Sequence, residues 1–223
     1  ENFAKSIKLR NLAVGKKIVA TNDNNSKKEI KITQGKSQKE FNIDNLRSNI
    51  VTIRIGQGHG SGFFVGNNGY LLTNAHVVGD SKSVQIITSS GMEIEGQVIR
   101  KSKSRDVSLI KVPLKITNSL NLKFEIPDIA SDVYAAGTPI DEALKTTVTK
   151  GIISNIRVDN ASGLKFIQAD ASISPGNSGG PLFDKFGNVI GISVAKYNAN
   201  SAEGLGLFIP LQDAFSSIKL SIE

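Results

Sequence analysis

The 223-residue chain contains no cysteine, no tryptophan, one methionine and only two histidines, at positions 59 and 76. Without a thiol there is no disulfide staple, no thiolate zinc site, no iron–sulfur ligation and no cysteine nucleophile. Two imidazoles cannot build a three-histidine metal centre, so chemistry near neutral pH that needs an imidazole rests on His59 or His76. Long apolar runs are lacking as well: none approaches the roughly 18 to 20 residues that a membrane-spanning helix requires. The sequence begins at Glu1 rather than methionine, with no leader-like charged and apolar segments behind it. Removal of a leader and excision from a longer chain would both produce such a start.

Acidic residues are outnumbered, 20 against 27 Lys and Arg, for a net charge of +7. That balance suggests nucleic acid or an acidic membrane as partner, but its distribution weakens the suggestion. Residues 1–49 carry +6 of the charge and residues 50–223 only +1. Few aromatic residues are interleaved with the basic ones in that leading segment, as single-strand stacking would require. We therefore expect no nucleic-acid partner.

What is present is ordinary for a folded protein, with 39% hydrophobic and 21% charged residues. Residues 1–49 form a basic segment or arm of short apolar clusters, Ile18-Val19-Ala20 and Ile30-Lys31-Ile32 among them. The intervening Asn/Asp-rich stretch is compatible with a hairpin. From residue 50 the pattern is regular. Short runs rich in Val, Ile, Phe and Thr lie at Ile50–Ile55, Gly62–Val65, Tyr70–Thr73, Val84–Thr88, Ile94–Arg100, Val107–Val112, Val133–Ala136, Thr146–Ile156, Val189–Ala195 and Gly204–Ile209. Many short strands with turn signals imply an all-β sandwich or barrel. Asn67-Asn68-Gly69 reads as a tight hairpin turn. Only Pro210 to Ile218 reads as a helix, with proline in its first turn and Leu211, Ala214, Phe215 and Ile218 on one face.

The residues that can carry chemistry are few. Ser178 sits in Gly176-Asn177-Ser178-Gly179-Gly180-Pro181, where glycines permit a sharp turn and the Gly176 and Ser178 amides can converge on one spot. A serine hydroxyl is a poor nucleophile until a base takes its proton and amides receive the oxyanion. His76, in Thr73-Asn74-Ala75-His76-Val77-Val78, is the candidate base, although an isolated histidine in an apolar stretch is also compatible with a structural role. His59 lies in a glycine-rich stretch with no evident orienting partner and reads as a loop residue. Asp106, in Arg105-Asp106-Val107-Ser108-Leu109-Ile110-Lys111, is either a strand-end surface charge or the carboxylate that fixes the imidazole tautomer. The basic group Arg100, Lys101, Lys103 and Arg105 before it reads as a solvated loop. Gly35-Lys36-Ser37 lacks the first glycine of a phosphate-binding loop, a position occupied by Ile30.

Six segments in order resemble the signatures of HtrA (DegP-like) trypsin-like serine proteases over about residues 50–212. They are Gly60-Ser61-Gly62-Phe63-Phe64-Val65, the stretches around His76 and Asp106, Gln168-Ala169-Asp170-Ala171, the serine loop, and Gly204-Leu205-Gly206-Leu207-Phe208-Ile209-Pro210. The resemblance implies an all-β, chymotrypsin-type double β-barrel with a C-terminal helix over residues 50–223, preceded by the 1–49 segment. It implies roles for His76 as general base and acid, Asp106 as orienter, Ser178 as nucleophile, and the Gly176 and Ser178 amides as the oxyanion hole, with no metal or organic cofactor. Substrates would be protein or peptide segments, exposed or unfolded. The pocket for the residue before the cleaved bond (P1) would be lined by Ser172, Ile173, Ser174, Ser193, Val194, Ala195, Lys196 and Tyr197. Ser172 argues against a Lys or Arg preference and Ile173 suggests small to medium apolar side chains, while Lys196 is either a solvated charge or an attraction for acidic ones. The resemblance further implies work in protein quality control and a bacterial envelope, periplasmic or secreted location; absence of cysteine is compatible with the cytoplasm too. It also implies trimeric assembly, with Phe3 or Phe41 as contacts, and attachment to a membrane or partner through residues outside this chain. HtrA proteins usually continue into PDZ domains, and no such domain is visible here. A protease-fold scaffold, inactive or awaiting activation, is the competing reading.

Overall fold

In a computed structural model of the protein, the described residues are 28–34, 42–56, 58–138, 146–174, 176–196 and 205–223; the side chains of 195 and 196 are outside the description. Six strands, β2 (Ile50–Ile55), β3 (Gly58–Val65), β4 (Tyr70–Thr73), β5 (Ser83–Ile87), β6 (Glu93–Ser102) and β7 (Val107–Lys111), close an antiparallel barrel in the order β2-β3-β4-β7-β6-β5. A second closes as β10-β13-β12-β11-β8-β9, from β8 (Asp132–Gly137), β9 (Thr147–Val158), β10 (Lys165–Ala169), β11 (Pro181–Asp184), β12 (Val189–Lys196) and β13 (Gly206–Pro210). This is the expected all-β double barrel.

Consecutive apolar residues occur where strands are buried on both faces. Successive side chains point to opposite sides of a strand. Phe64, Leu71 and Ile110 accordingly fill the first barrel, whereas their neighbours Phe63, Leu72 and Leu109 point into a shared apolar layer. Leu182 and Phe208 fill the second barrel, and Phe183 and Ile209 return to the shared layer. The catalytic-type residues identified above all lie on loops or element ends around this joint between barrels.

The helix α3 (Leu211–Ser217) seals the joint with Leu211, Ala214 and Phe215, whose ring meets Phe124 edge-on at 5.0 Å. The short helix α1 (Ile43–Ser48) contributes the fully buried Leu46 to the same layer. The other half of the hairpin suggested for Ile30–Ile32, strand β1, lies outside the described residues. Strand β1 itself pairs in parallel with β14 (Leu220–Ile222), burying Ile32, while Ile18–Ala20 falls outside the described residues, as do Phe3 and Phe41.

Two local expectations need correction. His59 is not in a loop but on β3 opposite Arg54, because the adjacent glycine allows close approach: a Cβ on Gly60 would lie 2.7 Å from Val77 Cγ2. The basic group is a solvated loop only at Lys103. Arg100 and Lys101 belong to β6, and the Arg105 side chain is only 4% exposed.

Candidate active site

The His76 and Asp106 pair is built wholly within the first barrel. His76 lies on the one-turn helix α2 (Ala75–Val78) directly after β4. The preceding Asn74 occupies the cap position, yet its amide does not cap the helix; Nδ2 donates instead to the Asp106 carbonyl at 2.9 Å. Asp106, at the entry to β7, adopts the left-handed backbone conformation with φ of +62°, which is costly for a non-glycine residue and marks a position held by its surroundings. Its carboxylate accepts twice from His76, from the backbone N–H at 2.9 Å and from Nδ1 at 2.7 Å. An ionised carboxylate only accepts, so this contact sets the proton on Nδ1 and leaves Nε2 with its lone pair. Lys101 Nζ donates to the Gly79 carbonyl at 2.7 Å, closing the C-terminal end of α2. Hydrogen bonds and charge from Lys103 and then Lys101 hold the Asp80 carboxyl below its ordinary range.

Ser178 comes from the second barrel, in the turn between β10 and β11. Two contacts, both from Ser61, dock that turn on the first barrel, and two more hold Ser61 in place. Ser61 N donates to the Ser178 carbonyl at 2.8 Å. Ser61 Oγ donates to the Gly176 carbonyl at 2.6 Å while receiving the Thr138 N–H at 2.8 Å. Thr73 Oγ1 donates to the Ser61 carbonyl at 2.7 Å. Gly179, at φ +86°, has no room for a side chain, since a Cβ there would overlap the Ser61 carbonyl and Thr73 Oγ1. A Cβ on Gly180 would overlap the Ala136 carbonyl.

The turn is also tied to β12: Gly179 N donates to the Ser193 carbonyl at 2.9 Å and Ser193 N to the Gly180 carbonyl at 2.8 Å. Asn177 N and Gly180 N find acceptors at Ser174 and Asn177. Among the described residues, the N–H groups of Gly176 and Ser178 find none. Free amides of this kind are what a developing oxyanion requires. The Ser178 hydroxyl donates to the Val194 carbonyl at 3.1 Å rather than to His76.

Around the turn, Ser172 and Ser174 are exposed, and the Ser172 carbonyl accepts from Thr149 Oγ1 at 2.7 Å. Ile173 is buried in the second barrel's core, facing Gly206. Val194 is half-buried, and Ala195 and Lys196 pair with Leu207 and Gly206 at the end of β12. Tyr197 lies outside the described residues. Asp170 braces β9 by accepting the Ile152 N–H at 2.7 Å. Sequence reasoning did not single out Ser61, Thr138, Asn74 or Gly206 for these roles. Ser61 and Asn74 stand inside the motif segments; Thr138 had no local signal, because its contact spans 77 residues.

The family of trypsin-like peptidase domains matches residues 60–192, more than half of the chain. A probable periplasmic serine endoprotease, DegP-like, of Pseudomonas fulva is 38% identical over 170 residues, 72% of this chain and 34% of that protein. The putative serine protease HhoB of Synechocystis is 38% identical over 165 residues, 71% of this chain and 39% of the relative. The chain thus spans between a third and two fifths of the length of these relatives. Among solved structures, the HtrA-type protease AlgW with tripeptide superimposes with a TM-score of 0.70 at 29% identity, covering 78% of this chain and 60% of that one. The chain belongs to the trypsin-like peptidase family, and its relatives are serine proteases of the HtrA and DegP type.

Proposed function

We propose that the chain is a serine endopeptidase domain that hydrolyses peptide bonds in exposed or unfolded protein segments. The observation that carries this reading is the 2.7 Å contact between His76 Nδ1 and Asp106, which leaves Nε2 available as a base for the glycine-flanked Ser178. In the reaction, Ser178 Oγ attacks the carbonyl carbon as its proton passes to His76 Nε2. The tetrahedral oxyanion lies against the Gly176 and Ser178 amides. Collapse expels the amine, which takes the proton from His76 and leaves an acyl-enzyme. Water then repeats the sequence, giving a carboxylic acid and the free serine.

The side chain before the cleaved bond would lie between Ser172–Ser174 and Val194–Lys196, and we assign it as Val, Ala, Ile or Leu. Fluorophosphonate labelling tests the nucleophile: labelling of the parent at Ser178, absent in Ser178→Ala, is expected, and labelling that survives the substitution overturns it. A peptide-library cleavage profile tests the pocket, with dominant cleavage after Asp or Glu assigning Lys196 the leading role instead.

One observation favours a second reading, a protease-fold binding protein or an enzyme awaiting activation. The Ser178 hydroxyl faces Val194 and must rotate before His76 can take its proton. Persistent silence toward fluorophosphonate together with peptide binding supports that alternative. The names of the relatives, periplasmic endoproteases, support a place in the bacterial envelope, where protein quality control is the fitting role. Trimeric assembly is carried over from the family and is read by light scattering on the purified chain.

A further inference from the structure

Every bond that holds Asp106 comes from its own barrel: Asn74 on its carbonyl, His76 on both carboxylate oxygens. The residue before it reaches across. Arg105 is 4% exposed, and its Nη2 donates to the Lys165 carbonyl on β10 and, at 3.1 Å, to Asp213 on α3. Its guanidinium carbon lies 4.6 Å from the centre of the Phe166 ring. All three partners belong to the second barrel or the helix packed on it. Burial lowers the guanidinium's pKa from its ordinary value, against the opposing influence of Asp213 and Asp106, although an arginine stays charged.

This is a poor way to gain stability. Nε and Nη1 of Arg105 are buried without a partner, and a buried charge with unsatisfied donors costs free energy. An apolar residue of similar volume in such a place is often neutral or stabilising. What the guanidinium supplies is direction: a planar fork and a ring contact that fix where one turn of the first barrel stands against the second.

Resting on the triad reading above, we propose that Arg105 is a positioning residue. It sets the Asp106 turn, and through it His76, in register with Ser178 across the joint between barrels. Small displacements of reacting groups are expensive; about 1 Å can cost on the order of 100-fold in rate.

The test compares the parent with Arg105→Met, Arg105→Lys, Asp213→Asn and Asp106→Ala, using casein cleavage, fluorophosphonate labelling rates across pH, and thermal unfolding. Arg105→Met should lose about 10- to 100-fold in kcat, with KM within about 2-fold and unfolding still cooperative near the parental midpoint. Its acid limb should move to lower pH, because an imidazole with a displaced carboxylate protonates less readily. Were Arg105 only a nearby positive charge, its removal would move that limb up. Arg105→Lys should recover part of the rate.

An unchanged kcat in Arg105→Met, or a loss accompanied by an unmoved or raised acid limb, overturns the proposal. If Arg105→Met does not fold, Arg105→Lys decides by the same limb, since it keeps the charge and loses the fork: a smaller rate loss with a downward shift supports the proposal, and parental behaviour overturns it; Asp213→Asn is then read by rate alone, a loss supporting the proposal, because removal of its charge lowers the limb by itself. An inert parent, or Asp106→Ala as active as the parent, overturns the triad reading and this proposal with it. An active, Asp106-dependent parent with an unimpaired Arg105→Met overturns only the positioning role.

Discussion

The two barrels contribute to the site by different means. In the first, His76 and Asp106 stand 30 residues apart and are joined directly by two hydrogen bonds, with Asn74 bracing the Asp106 carbonyl. In the second, Ser178 has its turn anchored to Ser61 and Ser193, yet its hydroxyl faces Val194. One barrel holds its two groups bonded to each other, with only the neighbouring Arg105 reaching across the joint. The other holds a part whose use depends on register and on one rotation about a side-chain bond.

That contrast can be broken at four points, in descending order of effect. Ser178→Ala should reduce turnover by about 10⁶-fold with thermal unfolding unchanged, and the low-field Nδ1 proton resonance of His76 should persist, because the first barrel's pair does not need the nucleophile. Asp106→Asn should lower kcat by about 10⁴-fold and abolish that resonance, since a neutral amide can present its N–H and reverse the tautomer. Ser61→Ala strikes the joint rather than either barrel. It leaves the Gly176 carbonyl and the Thr138 N–H short of a partner, which should cost about 1–3 kcal/mol in denaturant unfolding and slow labelling of Ser178 by roughly 10-fold.

Asp80→Asn tests the periphery. Asp80 pairs with Lys103 and Lys101 in solvent, where ion pairs contribute little, so activity at neutral pH should match the parent. Because pairing lowers its carboxyl pKa below 3.8, any stabilisation is present above that value and disappears as pH falls further. A parent-to-variant difference in thermal midpoint should therefore shrink in acid as well as in salt.

The sequence shows local features of the site well and distant ones poorly. His76, Asp106 and Ser178 stand in short segments whose order is informative, and most strands of both barrels are visible as β-branched runs. Lys165–Ala169 and Pro181–Asp184 are strands with weak sequence signals. One is interrupted in its apolar character by Gln168, and the other begins with proline directly after the glycine turn. The burial of Arg105 is hidden in the sequence because a run of basic residues ordinarily marks a solvated surface. Its burial depends on the Lys165 carbonyl, 60 residues away, and Asp213, 108 residues away. The strand position of His59 is hidden for a similar reason: glycines ordinarily mark loops, whereas here Gly60 lets β3 approach Val77 and the Ser178 carbonyl.

The parallel pairing of β1 with β14 has a consequence in time. Ile30 meets Leu220, so during synthesis β1 waits for β14, its partner strand among the described residues, until almost the whole described chain has been made. Contacts this distant along the chain form late, after the barrels that supply their docking surface. Weakening them, by Ile32→Ala for example, should therefore quicken the loss of the folded state while leaving its rate of formation nearly unchanged. The strand acts as a latch on lifetime rather than as a guide to folding.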